Sequence, residues 1–525
     1  MLRKLLNYLL SPFRRYLSFF LFSLLFSSSV QIIAFAMLES FPKGVYIAMH
    51  HYVICYFLAL LWGLLSGLCK KVYAVILTIL LVVNYLIDFF CLYVYDCVFD
   101  REISAVILGT NNEEAVEFIG TFFSWWLMIL PLLGLFGVWG VYRLLKSMPP
   151  RLGVRVSVAC LILVVFSLIN ILCGSRKNFG LVSIGKVYTF LSTTTPPDLK
   201  MYYTNPRIDG DSATYPENVV VIVGESLTKS QMSLYGYDKE TNPLLWKLKK
   251  DSSLFVFSNV MSPAKNTVPT FKSLMSTYRQ EYRDDINWYE CTTLLEIMDV
   301  AGFRTEWVSN QSSKGWHDNV VAKYAALADT AIFVGNRFSP SKNGDYDGLI
   351  LDVLPSLLDD AESKFQIIHL MGNHYAFDKR YPAEYECFSP MDYEAYPEHQ
   401  RYNRATYDNS VLYNDYVVGS IMDSYKDKDA IVFYFSDHSI DIYETSDDYV
   451  GHARRDDIAV GKRIPFMVYM TDTYKKNHSF VYNKIIETVD RVFNTEDFIY
   501  TIMDVVGLRF KDNGDVERYT LFSIN

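Results

Sequence analysis

Five apolar stretches fill the first third of this chain and constrain everything that follows. They lie at Tyr16–Met37, Val45–Cys69, Val72–Phe99, Phe118–Tyr142 and Val156–Gly174. Each reaches the roughly 20 residues that a helix needs to cross the hydrocarbon core of a bilayer. Few charges interrupt them, so buried helices of a large soluble fold explain them poorly. Asp88 is the one carboxylate well inside a span. An acid at that depth is costly and is expected to face other helices or water near the far end of its helix. The first run is too long for a cleavable signal, and no small-residue cleavage site follows it.

Lys and Arg set the orientation. Arg3, Lys4, Arg14 and Arg15 precede the first stretch, Lys70 and Lys71 separate the second and third, and Arg143, Lys146, Arg151 and Arg155 separate the fourth and fifth. All three segments belong in the cytoplasm, which leaves everything after Gly174 outside the inner membrane. Charge then changes sign along the chain. Residues 1–175 carry 12 Lys+Arg against 8 Asp+Glu, leaving 37 against 50 for the remainder. With hydrophobic residues at 51% and charged ones at 20%, disorder and coiled coil are excluded. An acidic soluble part argues against nucleic acid as a partner. The expected organisation is a transmembrane domain at 1–175, a linker rich in turn formers at 176–216, and a soluble domain at 217–525.

The loop after the third stretch, REISAVILGTNNEEAVEF, is more polar than a bare turn requires. On a helix Thr110 and Glu114 share one face. That face is suited to a lipid headgroup amine, and a solvated amphipathic connector explains it equally.

In the soluble domain, NVVVIV (218–223) is a short, β-branched, apolar run ending at Gly224, as a strand buried on both faces requires. Similar runs follow at FQIIHLMG, AIVFYFSD and IPFMVYM, with helical stretches such as TTLLEIMDVAG between them. Strands alternating with helices imply a doubly wound α/β domain. Glu225 follows the first strand, His369 and His374 the second, and Asp437 with His438 the third. They therefore converge at the carboxyl ends of the strands, where open α/β sheets bind ligands. Carboxylates and imidazoles together suit Zn²⁺; taken singly, Glu225 and Asp437 also read as helix caps. Hydroxyls at Ser262, Thr267, Thr270 and Ser273 lie near a helix start that favours an anion, and the residues alone do not choose among them. No Gly-x-Ser-x-Gly elbow is present.

VIVGESLTKSQMSLYGYDKETNPLL resembles the signature segment of the phosphoethanolamine transferases, lipopolysaccharide-modifying membrane enzymes of the alkaline phosphatase and sulfatase superfamily. The resemblance continues through SPAKNTVPTF, WVSNQSSKG, HLMGNHYAF, YDNSVLYNDY, FSDH, GHA and KRIPFMVY, and it looks closer to the core-oligosaccharide branch than to the lipid A branch. It implies a five-helix transmembrane bundle followed by an α/β doubly wound domain of alkaline phosphatase/sulfatase type. It also implies an inner-membrane location with the catalytic domain in the periplasm. By motif, Glu225, Asp437 and His438 resemble ligands of one tightly bound Zn²⁺, with a second ion left open, and Thr267 resembles both the fourth ligand and the nucleophile. Lys314 and His374 resemble residues that hold the transferred phosphate, His452 the histidine that completes the phosphate site or a second-metal site, and Thr110 and Glu114 a headgroup-binding pair. The implied donor is phosphatidylethanolamine and the implied acceptor a lipid-linked glycan. Three positions depart from the family pattern: Ser439 and Ile440 replace Gly-Glu, Val106 replaces an Asn, and Arg463 stands where some relatives have His.

Two other readings fit the same residues. One is a different lipid-directed phosphotransferase or phosphodiesterase of the superfamily, for example one that transfers glycerol phosphate. The other is a non-catalytic lipid-binding membrane sensor. Of eight cysteines, Cys291 and Cys387 alone fall in the soluble domain. In an oxidising compartment they form either a disulfide or two free thiols.

Overall fold

The computed structural model describes residues 2–38, 41–95, 99, 129, 132–133, 135–136, 139–140, 143, 152–173, 198–282, 286–312, 320–335, 346–358, 362–452, 458–511 and 520–522. The chain divides into two compact units, and all of Thr195–Asn525 falls in the second.

Among the described residues of the first unit, four helices are long and apolar enough to cross a membrane: α1 (Leu17–Leu38), α2 (Phe41–Leu64), α3 (Gly67–Tyr95) and α4 (Val154–Cys173). They are the first, second, third and fifth of the expected stretches. The fourth, 118–142, lies largely outside the described residues. At a rise of about 1.5 Å per residue α1 is about 33 Å long, enough to span a bilayer core. Aromatic rings fill the gaps between helices: Phe19 stacks on Trp62 at 4.5 Å and Phe13 on Tyr56 at 5.6 Å. The Lys70 ammonium lies over the Trp62 and Tyr16 rings at 4.8 and 5.2 Å, so the charge is held against aromatic faces. Asp88 does face other helices. Its two oxygens accept from Gln31 Nε2 on α1 and Asn84 Nδ2 on α3, each at 3.1 Å. Gln31 Oε1 lies 2.6 Å from His51 Nε2 on α2.

The second unit is built on a seven-stranded sheet. In chain order its strands are β1 (Asn218–Gly224), β2 (Leu254–Phe257), β3 (Arg304–Ser309), β4 (Thr330–Phe333), β5 (Lys364–His369), β6 (Ala430–Ser436) and β7 (Phe466–Met470), in spatial order β2-β7-β6-β1-β5-β3-β4. The neighbours from β6 to β4 run parallel. Alternation along β1 shows why the sheet is covered on both faces. Val219, Val221 and Val223 join one core with Phe365, Ile367, Phe433 and Phe435, whereas Val220 and Ile222 join Ile368, Val432 and Tyr434 in the other. Each such side chain contributes about 1.5–3 kcal/mol on full burial.

Helices cover the two faces. α5 (Thr267–Leu274) places Phe271 and Leu274 in the first core, as α6 (Leu294–Ala301) does Leu294, Leu295 and Met298. α7 (Glu398–Ser424) places Tyr407, Val411 and Val418 in the second. The Thr293 hydroxyl and the Glu296 carboxylate form a reciprocal cap that starts α6, within the stretch whose sequence reads as helix.

The strand at 466–470 breaks the parallel run of the sheet and is antiparallel to both β6 and β2. Just past the carboxyl end of β6 the Ser439 amide bonds the carbonyl of Gly461, which precedes β7, at 2.9 Å. The chain therefore enters β7 beside Phe435 and runs back along β6. An apolar run records burial and leaves direction open. Cys291 and Cys387 are free thiols.

Candidate metal centre

Register brings the site together. Gly224 at the end of β1 lies opposite Ser436 at the end of β6, so the residues that follow, Glu225 and Asp437 with His438, emerge side by side. Ser226 turns the chain sharply with φ 56°, and its hydroxyl donates to Glu225 Oε1 at 2.7 Å. One ligand atom from each of Glu225, Asp437 and His438 lies within 4.8 Å of the others, and all three residues are buried. His438 Nε2 is 3.1 Å from Glu225 Oε1 and 3.4 Å from Asp437 Oδ2.

Thr267, the first residue of α5, completes the group. Its Oγ1 donates to Glu225 Oε2 at 3.1 Å and lies 3.3 Å from His438 Nε2. The other three hydroxyls are engaged elsewhere: Ser262 Oγ donates to the Asp437 carbonyl at 2.5 Å and lies 3.2 Å from Thr270 Oγ1, and Ser273 Oγ points to Glu496 at 3.5 Å.

Charge in the cluster is unbalanced. Burial pushes the Glu225 carboxyl up, but the charge and hydrogen bond of His438 outweigh it and hold the group well below the usual range. Burial and then the Glu225 charge push Asp437 up to about 7. Burial draws His438 down, but Asp437 and Glu225 outweigh it and raise the imidazole to about 9. Two buried carboxylates thus share one imidazolium as their cation. Among the described residues Asp437 Oδ2 has no hydrogen-bond partner, and His438 Nδ1 lies 3.0 Å from the Ser439 carbonyl. Donation to that carbonyl fixes a proton on Nδ1 and turns Nε2 to the carboxylates. Three oxygens and one imidazole nitrogen match the donor set and number that Zn²⁺ takes.

Other expected residues fall around this core. His452 lies with its ring centroid 4.9 Å from that of His438; burial and the His438 charge lower it to about 3. His374 lies close enough to act electrostatically on Glu225, and its buried Nδ1 has no hydrogen bond among the described residues. His369 does not join the ligands. It turns into the first core, edge-on to Phe271 at 4.9 Å with Nδ1 3.2 Å from Ser309 Oγ, and burial lowers it to about 4. Lys314, Thr110 and Glu114 lie outside the described residues.

Residue-by-residue reading of the sequence missed a supporting layer. Gln311 Nε2 reaches Glu225 Oε2 at 3.3 Å and the Leu370 carbonyl at 3.0 Å. Asp347 accepts the Met371 and Gly372 amides, each at 2.8 Å, and Asn310 Nδ2 at 2.9 Å. Gly372 has φ +54°, and a Cβ there would stand 2.7 Å from the Glu225 amide nitrogen, so this position admits no side chain without moving a ligand. Gln311 follows β3 as the ligands follow their strands, a signal available in sequence; Asp347 carries none.

A family model described as Sulfatase matches residues 217–508. The chain is 29% identical over 311 residues to the phosphoethanolamine transferase EptC of Escherichia coli, covering 57% of this chain and 52% of that protein. It therefore spans about half the length of the curated relatives it matches. The crystal structure of the C-terminal periplasmic domain of EptC from Escherichia coli in complex with Zn is similar at TM-score 0.54 and 26% identity, covering 63% of this chain and 90% of that one. The integral membrane lipooligosaccharide phosphoethanolamine transferase A of Neisseria meningitidis shares the fold over 95% of both chains at TM-score 0.63 and 18% identity.

Proposed function

The chain belongs to the sulfatase family, and from that premise we propose that it is a membrane-anchored phosphoethanolamine transferase with Thr267 as nucleophile. The observation that carries this reading is the Thr267 hydroxyl, 3.1 Å from Glu225 and 3.3 Å from His438 within a buried cluster suited to zinc.

Glu225, Asp437, His438 and Thr267 would hold the ion. Zinc bound there would favour loss of the Thr267 proton and offset negative charge at the attacked phosphorus. Thr267 Oγ1 attacks the phosphorus of phosphatidylethanolamine; the bond to the diacylglycerol oxygen breaks, and that oxygen takes the proton. Phosphoethanolamine is left on Thr267. A hydroxyl or phosphate oxygen of a lipopolysaccharide or other surface glycan then attacks, and Thr267 regains its proton. His374 and His452 sit beside the ligands to hydrogen-bond the phosphoryl oxygens, with Lys314 assigned the same task by its motif. Thr110 and Glu114 are assigned the donor headgroup on the same ground.

The multi-pass helical unit, residues 1–175, belongs in a bacterial inner membrane with its N-terminus in the cytoplasm and the catalytic domain, 217–525, in the periplasm. Both substrates are lipids, which gives the anchor its purpose. The test incubates detergent-purified protein with phosphatidylethanolamine and lipopolysaccharide, with and without chelator. Zinc-dependent release of diacylglycerol with one phosphoethanolamine gained per acceptor is expected. Intact phosphatidylethanolamine alongside bound zinc would reject the donor.

A further inference from the structure

The YDNSVLYNDY segment, 407–416, falls inside α7, and none of its residues belongs to the ligand cluster. Its first residue, Tyr407, is buried against the turn that follows Glu225. The Tyr407 hydroxyl accepts the Thr228 amide at 2.9 Å and donates to the Ser226 carbonyl at 3.0 Å. Ser226 is the residue held at φ 56°, a conformation that side chains rarely adopt. Both bonds of the phenol therefore fall on the turn where it is strained.

Residues three apart share a helix face, and Ser410 on that face meets the loop after β5. Ser410 Oγ accepts from Asn373 Nδ2 at 2.6 Å and donates to the Tyr407 carbonyl at 2.6 Å. The Asn373 backbone amide donates to the Glu225 carbonyl at 2.8 Å. These bonds close a ring that runs from Glu225 through Ser226, Tyr407, Ser410 and Asn373 back to Glu225, and every residue in it is buried. Asn373 Oδ1 has no hydrogen bond among the described residues, which leaves the bond to Ser410 as the anchor of that side chain. The paired register of β1 and β5 ends at Val223 and His369, so beyond it individual bonds such as these hold the two arms of the site together. One arm carries Glu225; the other carries His374, next to Asn373.

We propose that Tyr407, Ser410 and Asn373 are positioning residues that set the spacing between the zinc ligand Glu225 and the phosphate-binding His374. The inference rests on the transferase reading and deepens it, because a phosphoryl group held by both arms tolerates little error in their separation. None of these side chains needs to touch the substrate.

The test measures inorganic phosphate affinity by calorimetry on the zinc-saturated full chain in detergent, beside zinc affinity by chelator competition and diacylglycerol release from phosphatidylethanolamine. Ser410→Ala and Asn373→Ala should each weaken phosphate binding about tenfold and leave zinc affinity within about twofold of wild type, because the backbone bond to Glu225 survives. The double variant should be no weaker than either, since both changes delete one and the same bond. Tyr407→Phe opens the ring on the Glu225 side and should weaken zinc binding as well, by about tenfold or more. Tyr425→Phe, just past the end of α7, removes a comparable buried bond, from the Tyr425 hydroxyl to Gln366 Oε1 at 2.8 Å; it should lower stability and change neither affinity. Unchanged phosphate affinity in the single variants, losses that multiply when Ser410→Ala and Asn373→Ala are combined, or an equal loss in Tyr425→Phe would each overturn the spacing role. If the wild-type protein binds zinc and phosphate yet releases no diacylglycerol, the transferase reading fails, while the phosphate affinities still decide whether the ring sets the spacing.

Discussion

Each unit buries a polar cluster, and the two are finished differently. In the helical unit Gln31, His51, Asn84 and Asp88 bond to one another across three helices, amide to carboxylate and imidazole to amide. In the α/β unit Glu225 and Asp437 press like charges together with one imidazole between them, and Asp437 Oδ2 has no hydrogen-bond partner among the described residues. In the first both oxygens of the buried carboxylate, Asp88, are taken by side-chain amides; in the second a buried carboxylate oxygen, Asp437 Oδ2, is kept for something that is not protein. Buried polarity is thus a sign of function when it is left incomplete, more than when it is merely present.

Exchanging the roles of the two clusters gives the largest expected effects. Asp437→Asn should lower zinc affinity by at least about 100-fold and abolish transfer. It should cost the zinc-free protein little, because it relieves repulsion with Glu225; thermal unfolding with zinc and with chelator, compared with wild type, checks both. Gln31→Leu should do the reverse, destabilising the helical unit by about 1–3 kcal/mol through loss of its hydrogen bonds to Asp88 and His51 while zinc affinity by chelator competition stays at the wild-type value. Next in size is Gly372→Ala, where the added Cβ meets the Glu225 backbone at 2.7 Å. A cost of about 1–3 kcal/mol is expected, with weaker zinc binding, and wild-type affinity in this variant would remove Gly372 from the supporting layer.

The smallest effect on transfer concerns Asp408, a buried acid that touches none of the ligands. It accepts from Tyr237 at 2.7 Å and also from Tyr393, and burial pushes it up to about 7. Since the folded-state value is raised, its contribution is full below the unfolded value near about 4 and is lost as pH rises through the folded one. Denaturant unfolding of wild type should therefore lose stability between about pH 4 and about pH 7, and Asp408→Asn should flatten that slope.

Much of this arrangement is legible in the sequence. Span lengths and the placement of Lys and Arg mark the helical unit, and β-branched runs leading to Glu225, His369 and Asp437 mark the central strands and the edge where the site lies. What stays hidden depends on tertiary contact. The run at 466–470 does not reveal that β7 turns back. Four nearby hydroxyls look alike until Ser262, Thr270 and Ser273 are seen engaged elsewhere. His369 and His374 differ by five positions, yet only the fold sends the first into an aromatic core. Asp347 holds the loop after β5 through backbone amides, and no residue pattern announces such a bond.

The central claim is that the incomplete cluster is a zinc-dependent nucleophile site with Thr267 at its centre. Peptide mass spectrometry of the full chain after incubation with phosphatidylethanolamine, beside Thr267→Ala and a chelator-treated sample, tests it most directly. The account predicts a phosphoethanolamine adduct on Thr267 that is absent from the variant and from the chelated protein. An adduct on another residue, or on Thr267 with zinc removed, would contradict it.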